Sequence, residues 1–344
     1  MIRTATIQLH HLDIGYHSKH HVHPVATNLE ATLHSGQMTC LLGANGVGKS
    51  TLLRTLSAFL PPLAGEISLM DKPLSTYSDK ELARTISVVL TERIDVPDLL
   101  VTDVVGLGRT PYTNFLGQLS ANDYVLIEAA LHATGITHLA QRKLHTLSDG
   151  ERQKAMIAKA LAQDTPIILL DEPTAFLDYP SKVEMMQLLH HLSYSMQKTI
   201  FLSTHDLDLA LQIADCVWLL DNQGSLTTGL PEALILNGIL PRFFHSEGVC
   251  FDASTGYFSV NHHPTRSTPL GITGHGLPLL MLCRALHRLG FTTLETTAAE
   301  ACPTIDIITE YDGSPCFLLT PLPKDSPQRF TTIDALIKAL ETIA

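Results

Sequence analysis

The run Gly43-Ala44-Asn45-Gly46-Val47-Gly48-Lys49-Ser50 has the residue types and spacing needed to hold a phosphate chain. It fits G-x-x-x-x-G-K-[ST], in which backbone N–H groups converge on phosphate oxygens, a lysine neutralises charge and a hydroxyl ligates a divalent cation. Glycines at 43, 46 and 48 ease the backbone into that path. Lys49 is expected to reach the β- and γ-phosphates, and Ser50 to hold Mg²⁺. Asn45 and Thr51 are assigned to the same nucleotide site.

A second group of oxygens follows 121 residues later. Thr165-Pro166-Ile167-Ile168-Leu169-Leu170 is an apolar run that ends in Asp171-Glu172. A buried parallel strand delivers such acids to the carboxyl edge of an open α/β sheet, where ligands bind. Asp171 is expected to hold Mg²⁺ through its water shell, and Glu172 to polarise the attacking water.

The elements that position these groups are readable from hydrophobic pattern. Met38 to Leu42 predicts a buried strand before the phosphate loop, and Thr51 to Leu56 a helix after it. Ile86 to Leu90 and Thr199 to Ser203 predict two more strands, the second leading into Thr204-His205-Asp206. Ser148 and Gly150, in Leu147-Ser148-Asp149-Gly150-Glu151-Arg152-Gln153, open a helix running through Ala155, Ile157, Ala158 and Leu161. A helix N-terminus carrying a hydroxyl and a small residue makes a second anion site.

In this order the motifs of residues 2 to about 240 resemble those of ATP-binding-cassette (ABC) ATPase subunits. The resemblance implies an α/β P-loop NTPase core with a helical subdomain, ATP and Mg²⁺ as cofactors, and ATP hydrolysis as the activity. It assigns Tyr16 to adenine stacking, Ser148 and Gly150 to the γ-phosphate held by the opposite subunit, and Asp178 of Ala175-Phe176-Leu177-Asp178 to the link between two sites. Lys49, Glu172 and His205 form the implied catalytic set, with Glu172 orienting the nucleophile and His205 contacting the γ-phosphate. Two copies would sandwich two ATP molecules, so a homodimer is expected.

Two positions depart from the family pattern. Thr91-Glu92 stands where a Mg²⁺-contacting glutamine is usual, and Glu92 is expected to keep the metal role with an added charge. Asp149 stands where glycine is commoner, and is expected to point outward and cap its helix.

The helical subdomain is placed at about 101 to 146. Thr102 and Asp103 are expected to start one helix and Ser120 to Asp123 another, with Pro111 between them. Within it, Gly106-Leu107-Gly108-Arg109-Thr110-Pro111-Tyr112 resembles a stretch in the ATPases of siderophore, haem and cobalamin importers. That resemblance implies two membrane-spanning permease subunits, an external substrate-binding protein and a peripheral place on the cytoplasmic face of the membrane. The alternative is a soluble ABC ATPase with an assembly or regulatory role.

Composition narrows the field. The 344 residues suggest two domains: 1–245 for the cassette and 246–344 for a small accessory α/β domain. A formal net charge of -11, with no dense Lys/Arg stripe, argues against a nucleic-acid partner. No segment approaches the roughly 18 to 20 apolar residues that cross a bilayer, and the N-terminal residues lack the pattern of a secretory signal. The six cysteines show no metal-binding spacing and suit a reducing compartment. His10, His11, His17, His20, His21 and His23 cluster around Tyr16 and read as a solvated hairpin, with metal binding the less favoured alternative.

In the accessory region, Gly248 to Asp252 and Gly256 to Val260 predict a hairpin, with a polar linker over Asn261 to Pro269. A helix over Leu277 to Leu289, strands near Phe291 to Leu294, Thr304 to Thr309 and Cys316 to Thr320, and a last helix over Ile333 to Ile343 complete it.

Overall fold

The computed structural model describes residues 3–17, 21–91, 98–244, 248–252, 257–260, 264–266, 269–295, 302–311, 313–321 and 325–343. Contacts divide the chain into two units, Met1–Phe243 and Phe244–Ala344.

The first unit begins with strands β1 (Ala5–His17), β2 (Val22–His34) and β3 (Met38–Leu42), then helix α1 (Lys49–Leu56). Strands β4 (Ala64–Leu69) and β5 (Lys72–Pro73), helix α2 (Asp79–Leu82) and strand β6 (Ile86–Val89) follow. Helices α3 (Val101–Gly106), α4 (Ala121–Ala133) and α5 (Asp149–Ala162) come next. The chain returns through β7 (Ile167–Asp171), α6 (Tyr179–Ser195), β8 (Thr199–Ser203), α7 (Leu207–Ile213), β9 (Cys216–Leu220) and β10 (Leu226–Gly229), and ends in α8 (Pro231–Leu236) and α9 (Ile239–Phe243).

Two sheets result. An antiparallel sheet runs β2-β1-β4-β5, and a mainly parallel one runs β10-β9-β3-β8-β7-β6. Only the β9–β10 pairing is antiparallel in the second sheet. Every residue of β3 and β8 is buried, which is why both read as continuous apolar runs rather than alternating ones. Their neighbours place Leu41, Leu169, Phe201 and Trp218 in one core, where the Phe201 and Trp218 rings meet edge to face at 5.0 Å.

The helical segment is closed by polar devices. Ser120 and Asp123 form a reciprocal capping box at the start of α4, and Ser148 and Glu151 do the same for α5. Arg109 is buried; its Nε donates to Asp123 Oδ1 at 2.7 Å and its Nη1 to the Ala162 carbonyl at 2.7 Å. One guanidinium thus ties the end of α5 to the start of α4. Gly108 lets it do so, because a Cβ there would lie 2.2 Å from the Lys159 carbonyl oxygen.

Pro111 lies between α3 and α4, as expected, inside a 3₁₀ segment, Leu107–Tyr112, that continues from α3, a conformation its fixed φ permits. One local expectation is corrected. Helix α3 starts at Val101, one residue before Thr102, with the Asp103 carboxylate accepting from the Leu100 N–H at 3.3 Å.

In the second unit β11 (Val249–Asp252) pairs antiparallel with β12 (Tyr257–Val260). Strand β13 (Leu270–Thr273), helix α10 (Gly276–Arg288), and strands β14 (Thr293–Glu295), β15 (Thr304–Thr309), β16 (Pro315–Thr320) and β17 (Gln328–Phe330) precede α11 (Ile333–Ile343). The five strands order as β14-β13-β15-β16-β17, with β13 parallel to both neighbours. Leu282 and Leu286 of α10 and Leu336 and Leu340 of α11 pack with Leu270, Ile305, Phe317 and Leu319 in a core of their own. Most of the polar linker, including Asn261 to His263, lies outside the described residues.

Candidate nucleotide site

The phosphate loop joins the buried end of β3 to α1. Gly48 caps α1 at φ 114°, a left-handed conformation, and a Cβ there would fall 2.2 Å from Val25 Cγ1. Gly43 is needed for a different reason: its φ is not positive, but a Cβ would stand 2.5 Å from the Leu220 carbonyl oxygen. The cradle therefore has no room for side chains at either end. The N-terminus of α1 adds its positive dipole at the same place.

Lys49 is 6% exposed, and its Nζ donates to the carbonyls of Gly43 at 2.8 Å and Ala44 at 3.0 Å. Burial lowers its pKa from the ordinary lysine value, a shift opposed by the nearby charges of Glu172 and Asp171. Thr51, also buried, shares a hydrogen bond of 2.9 Å with the Tyr16 hydroxyl, so the aromatic ring of β1 stands beside the first turn of α1 while remaining half-exposed.

Asp171 ends β7 next to Ser203, which ends β8 in direct register. Ser50 Oγ donates to Asp171 Oδ1 at 3.3 Å and Ser203 Oγ to the same oxygen at 2.6 Å. Thr91 Oγ1 donates to the Asp171 carbonyl at 2.7 Å. Glu172 follows at φ 47°, an uncommon conformation for a residue with a side chain, and its N–H donates to Ser203 Oγ at 3.0 Å. His205 Nε2 pairs with Glu172 Oε1.

Further supports surround this pair. Asp206 accepts from Thr174 Oγ1 at 2.8 Å and from Lys182 Nζ at 2.9 Å, which ties the turn after His205 to α6. Asp178 caps α6 by accepting from the Ser181 N–H at 3.1 Å, and the Ser181 hydroxyl together with that N–H holds its carboxyl below the usual range.

At the start of α5 the cap is Ser148, not Asp149. The Ser148 hydroxyl accepts from the Glu151 N–H at 3.3 Å and donates to Glu151 Oε2 at 2.9 Å. Asp149 is the first helical residue, and its Oδ1 accepts from Arg152 Nη1 at 3.2 Å, because a side chain inside the first turn reaches the residue three ahead. Gly150 is half-buried, with only ordinary contacts around a notional Cβ.

The structure thus gathers Lys49, Ser50, Asp171, Glu172 and His205 at one edge of the parallel sheet, through the bonds and charge interactions just described. Glu92 and His20 lie outside the described residues. Among the described residues no three His, Cys, Asp or Glu side chains gather as a metal site, and His11 Nδ1 instead meets Asn28 Oδ1 at 2.8 Å. Ser203, Thr91 and Asp206 are the polar groups of this site that sequence motifs alone did not single out. The clue to Ser203 was present: a hydroxyl closing an otherwise apolar buried run needs a partner.

The donor set suits a nucleotide with a hard cation. Ser50 and Asp171 offer oxygens, as Mg²⁺ requires, and a loop that excludes Cβ atoms beside a buried ammonium suits a phosphate chain.

Comparison with known proteins agrees. Residues 26–175 match the family model described as ABC transporter, and residues 267–341 match the one described as iron ABC transporter C-terminal domain. An uncharacterized ABC transporter ATP-binding protein of Methanocaldococcus jannaschii is 34% identical over 261 residues, covering 76% of this chain and 89% of the relative. The ferric enterobactin transport ATP-binding protein FepC of Escherichia coli strain K12 is 35% identical over 240 residues, covering 70% and 87%. A putative metal-chelate type ABC transporter, solved in an inward-facing conformation, superposes with a TM-score of 0.61 at 29% identity, over 70% of this chain and 90% of that one. The chain therefore belongs to the ATP-binding proteins of ABC transporters and is an ATPase of that family.

Proposed function

We propose that this chain is the ATP-hydrolysing subunit of an importer for an iron chelate of the siderophore type, acting as a homodimer beneath two separate permease subunits that an external binding protein loads. The observation that carries this reading is the match of residues 267–341 to an iron transporter C-terminal domain, joined to cassette relatives such as a ferric enterobactin transport protein. Siderophore import is favoured over haem and cobalamin because the cargo named for that relative is ferric enterobactin, an iron chelate that is not a tetrapyrrole.

A membrane partner is supported by the surface of the helical segment. There Phe115 is fully exposed and Leu116 is 74% exposed. An adjacent pair of exposed apolar side chains supports docking of a partner there. Among the described residues no helix is long and apolar enough to cross a membrane; the proposed location is the cytoplasmic membrane face, against permease subunits that supply the span.

Bound Mg-ATP supplies the cleavable phosphoanhydride, and the cation offsets its charge. Ser50 and Asp171 would hold the cation, with Glu92 contributing a further oxygen. Lys49 would exchange the carbonyls of Gly43 and Ala44 for phosphate oxygens, and Asn45, Gly46 and Thr51 would line the path. Glu172 orients the attacking water, and His205, paired to it, holds its carboxylate in place. Tyr16 presents a ring for the adenine. Ser148 and Gly150, on the exposed start of α5, would complete the site of the second copy, with Asp178 linking the two.

The test is affinity purification of the tagged chain from gently solubilised native membranes. A polytopic permease recovered in equal amount, together with loss of ferric-siderophore uptake when the gene is disrupted, is the expected result. A soluble dimer without a membrane partner, and unimpaired uptake, would overturn the proposal.

A further inference from the structure

We infer that Ser203 is a positioning residue for the hydrolytic reaction, one hydroxyl that sets both the cation-holding carboxylate of Asp171 and the backbone that aims Glu172. The inference rests on the reading of Asp171 and Glu172 given above and adds a residue that reading does not contain.

Ser203 is 0% exposed at the end of a strand otherwise composed of Thr199, Ile200, Phe201 and Leu202. A hydroxyl buried in such a place costs free energy unless it is bonded on both sides. Here both its functions are used. It accepts from the Glu172 N–H at 3.0 Å and donates to Asp171 Oδ1 at 2.6 Å, forming a continuous chain from amide to hydroxyl to carboxylate. The register Asp171↔Ser203 puts the donor opposite its acceptor without help from a flexible loop.

Two features make this more than a satisfied core serine. First, Asp171 Oδ1 has one other hydroxyl donor, Ser50 at a longer 3.3 Å, and Ser50 is the residue expected to turn to the cation. Ser203 is then the hydroxyl that stays and fixes which carboxylate oxygen faces the metal. Second, Glu172 sits at φ 47°, and a non-glycine residue persists there only where its surroundings hold it. The Ser203 hydroxyl and carbonyl both accept from the Glu172 N–H, at 3.0 and 3.2 Å, and so pin the backbone kink from which the carboxylate departs. Partners one step behind a metal ligand typically change metal affinity or activity by about ten- to a hundred-fold when removed.

The test compares Ser203→Thr with Ser203→Val, which share a shape and differ in the hydroxyl, with Ser203→Ala as the variant that adds no bulk. Steady-state turnover at saturating ATP is read against Mg²⁺ concentration, Mn²⁺ binding to the ATP-loaded chain is read by electron paramagnetic resonance, and ATP affinity is read in chelator without metal. The expected result is that Val and Ala lose about tenfold or more in kcat and in Mn²⁺ affinity, while Thr retains both and all three bind metal-free ATP like the parent. Equal behaviour of Thr and Val, or an Ala variant with parental Mn²⁺ affinity and turnover, would overturn the inference. Asp171→Asn and Glu172→Gln run alongside: if they also keep full metal affinity and turnover, the site reading itself falls, and the inference with it.

Discussion

Arg109 Nε and Asp123 Oδ1 lie 2.7 Å apart with both side chains less than a tenth exposed, which makes this a buried ion pair inside the helical segment. Its carboxylate is held first by the Ser120 hydroxyl and N–H, then by the guanidinium, which together lower its pKa to about 2. A buried pair contributes little over an apolar replacement, but removing one partner strands the other charge. Arg109→Met is therefore expected to destabilise the first unit by about 3 kcal/mol, read as a lower urea midpoint. A loss below measurement error would refute this account of the pair.

The same carboxylate sets an acid limit. Its pKa in the folded chain is depressed, so its stabilisation is fully present above the unfolded value near 4 and is lost as pH falls towards about 2. The contribution is about 2 kcal/mol. Asp123→Asn should flatten the stability profile over that interval, as followed by urea denaturation at stepped pH; an unchanged profile would assign the acid limit elsewhere.

Glu172→Gln keeps the size of the side chain and removes the charge that pairs with His205. Turnover should fall by about a hundredfold or more while ATP binding persists, so an ATP-dependent dimer should accumulate in light scattering. Unchanged hydrolysis would remove Glu172 from its proposed role.

Gly48→Ala meets both a left-handed φ of 114° and the Val25 side chain. A cost of about 1 to 3 kcal/mol is expected, together with loss of nucleotide binding by titration calorimetry. Gly150→Ala is the contrast, since its nearest neighbour, Leu177 Cδ2, would be 3.8 Å away. That variant should melt like the parent and be impaired only in ATP-driven pairing.

Tyr16 separates stacking from hydrogen bonding. Tyr16→Phe loses only the 2.9 Å bond to Thr51 Oγ1 and should change ATP affinity little. Tyr16→Ala should weaken it by about tenfold, the order of one lost base-aromatic contact. Equal affinities for the two variants would exclude the ring as an adenine platform.

Much of the placement of these groups was legible because each one terminates an apolar run. Met38–Leu42, Ile167–Asp171 and Thr199–Ser203 are strands buried along nearly their whole length; the polar residue that closes each of the last two marks the sheet edge, and the first runs straight into the phosphate loop. Ser120 announced α4 through its capping box. What escaped was non-local or short. Arg109 gives no hint in sequence that it spans to Asp123 and Ala162, because only folding brings three separate segments together. Leu270–Thr273 and Gln328–Phe330 are too brief to show a period, and each is recruited by its neighbours in the sheet.

The two hydrophobic cores have a calorimetric consequence. One gathers Leu41, Phe201 and Trp218, the other Leu282, Phe317 and Leu336, and among the described residues none belongs to both. A chain packed in this manner is not bound to melt as a single cooperative unit. Nucleotide engages the first core's unit, so rising ATP should displace one component of the thermogram and leave the other at its own temperature. The quantity usually called the melting point of a protein would then, for this chain, be a pair of numbers.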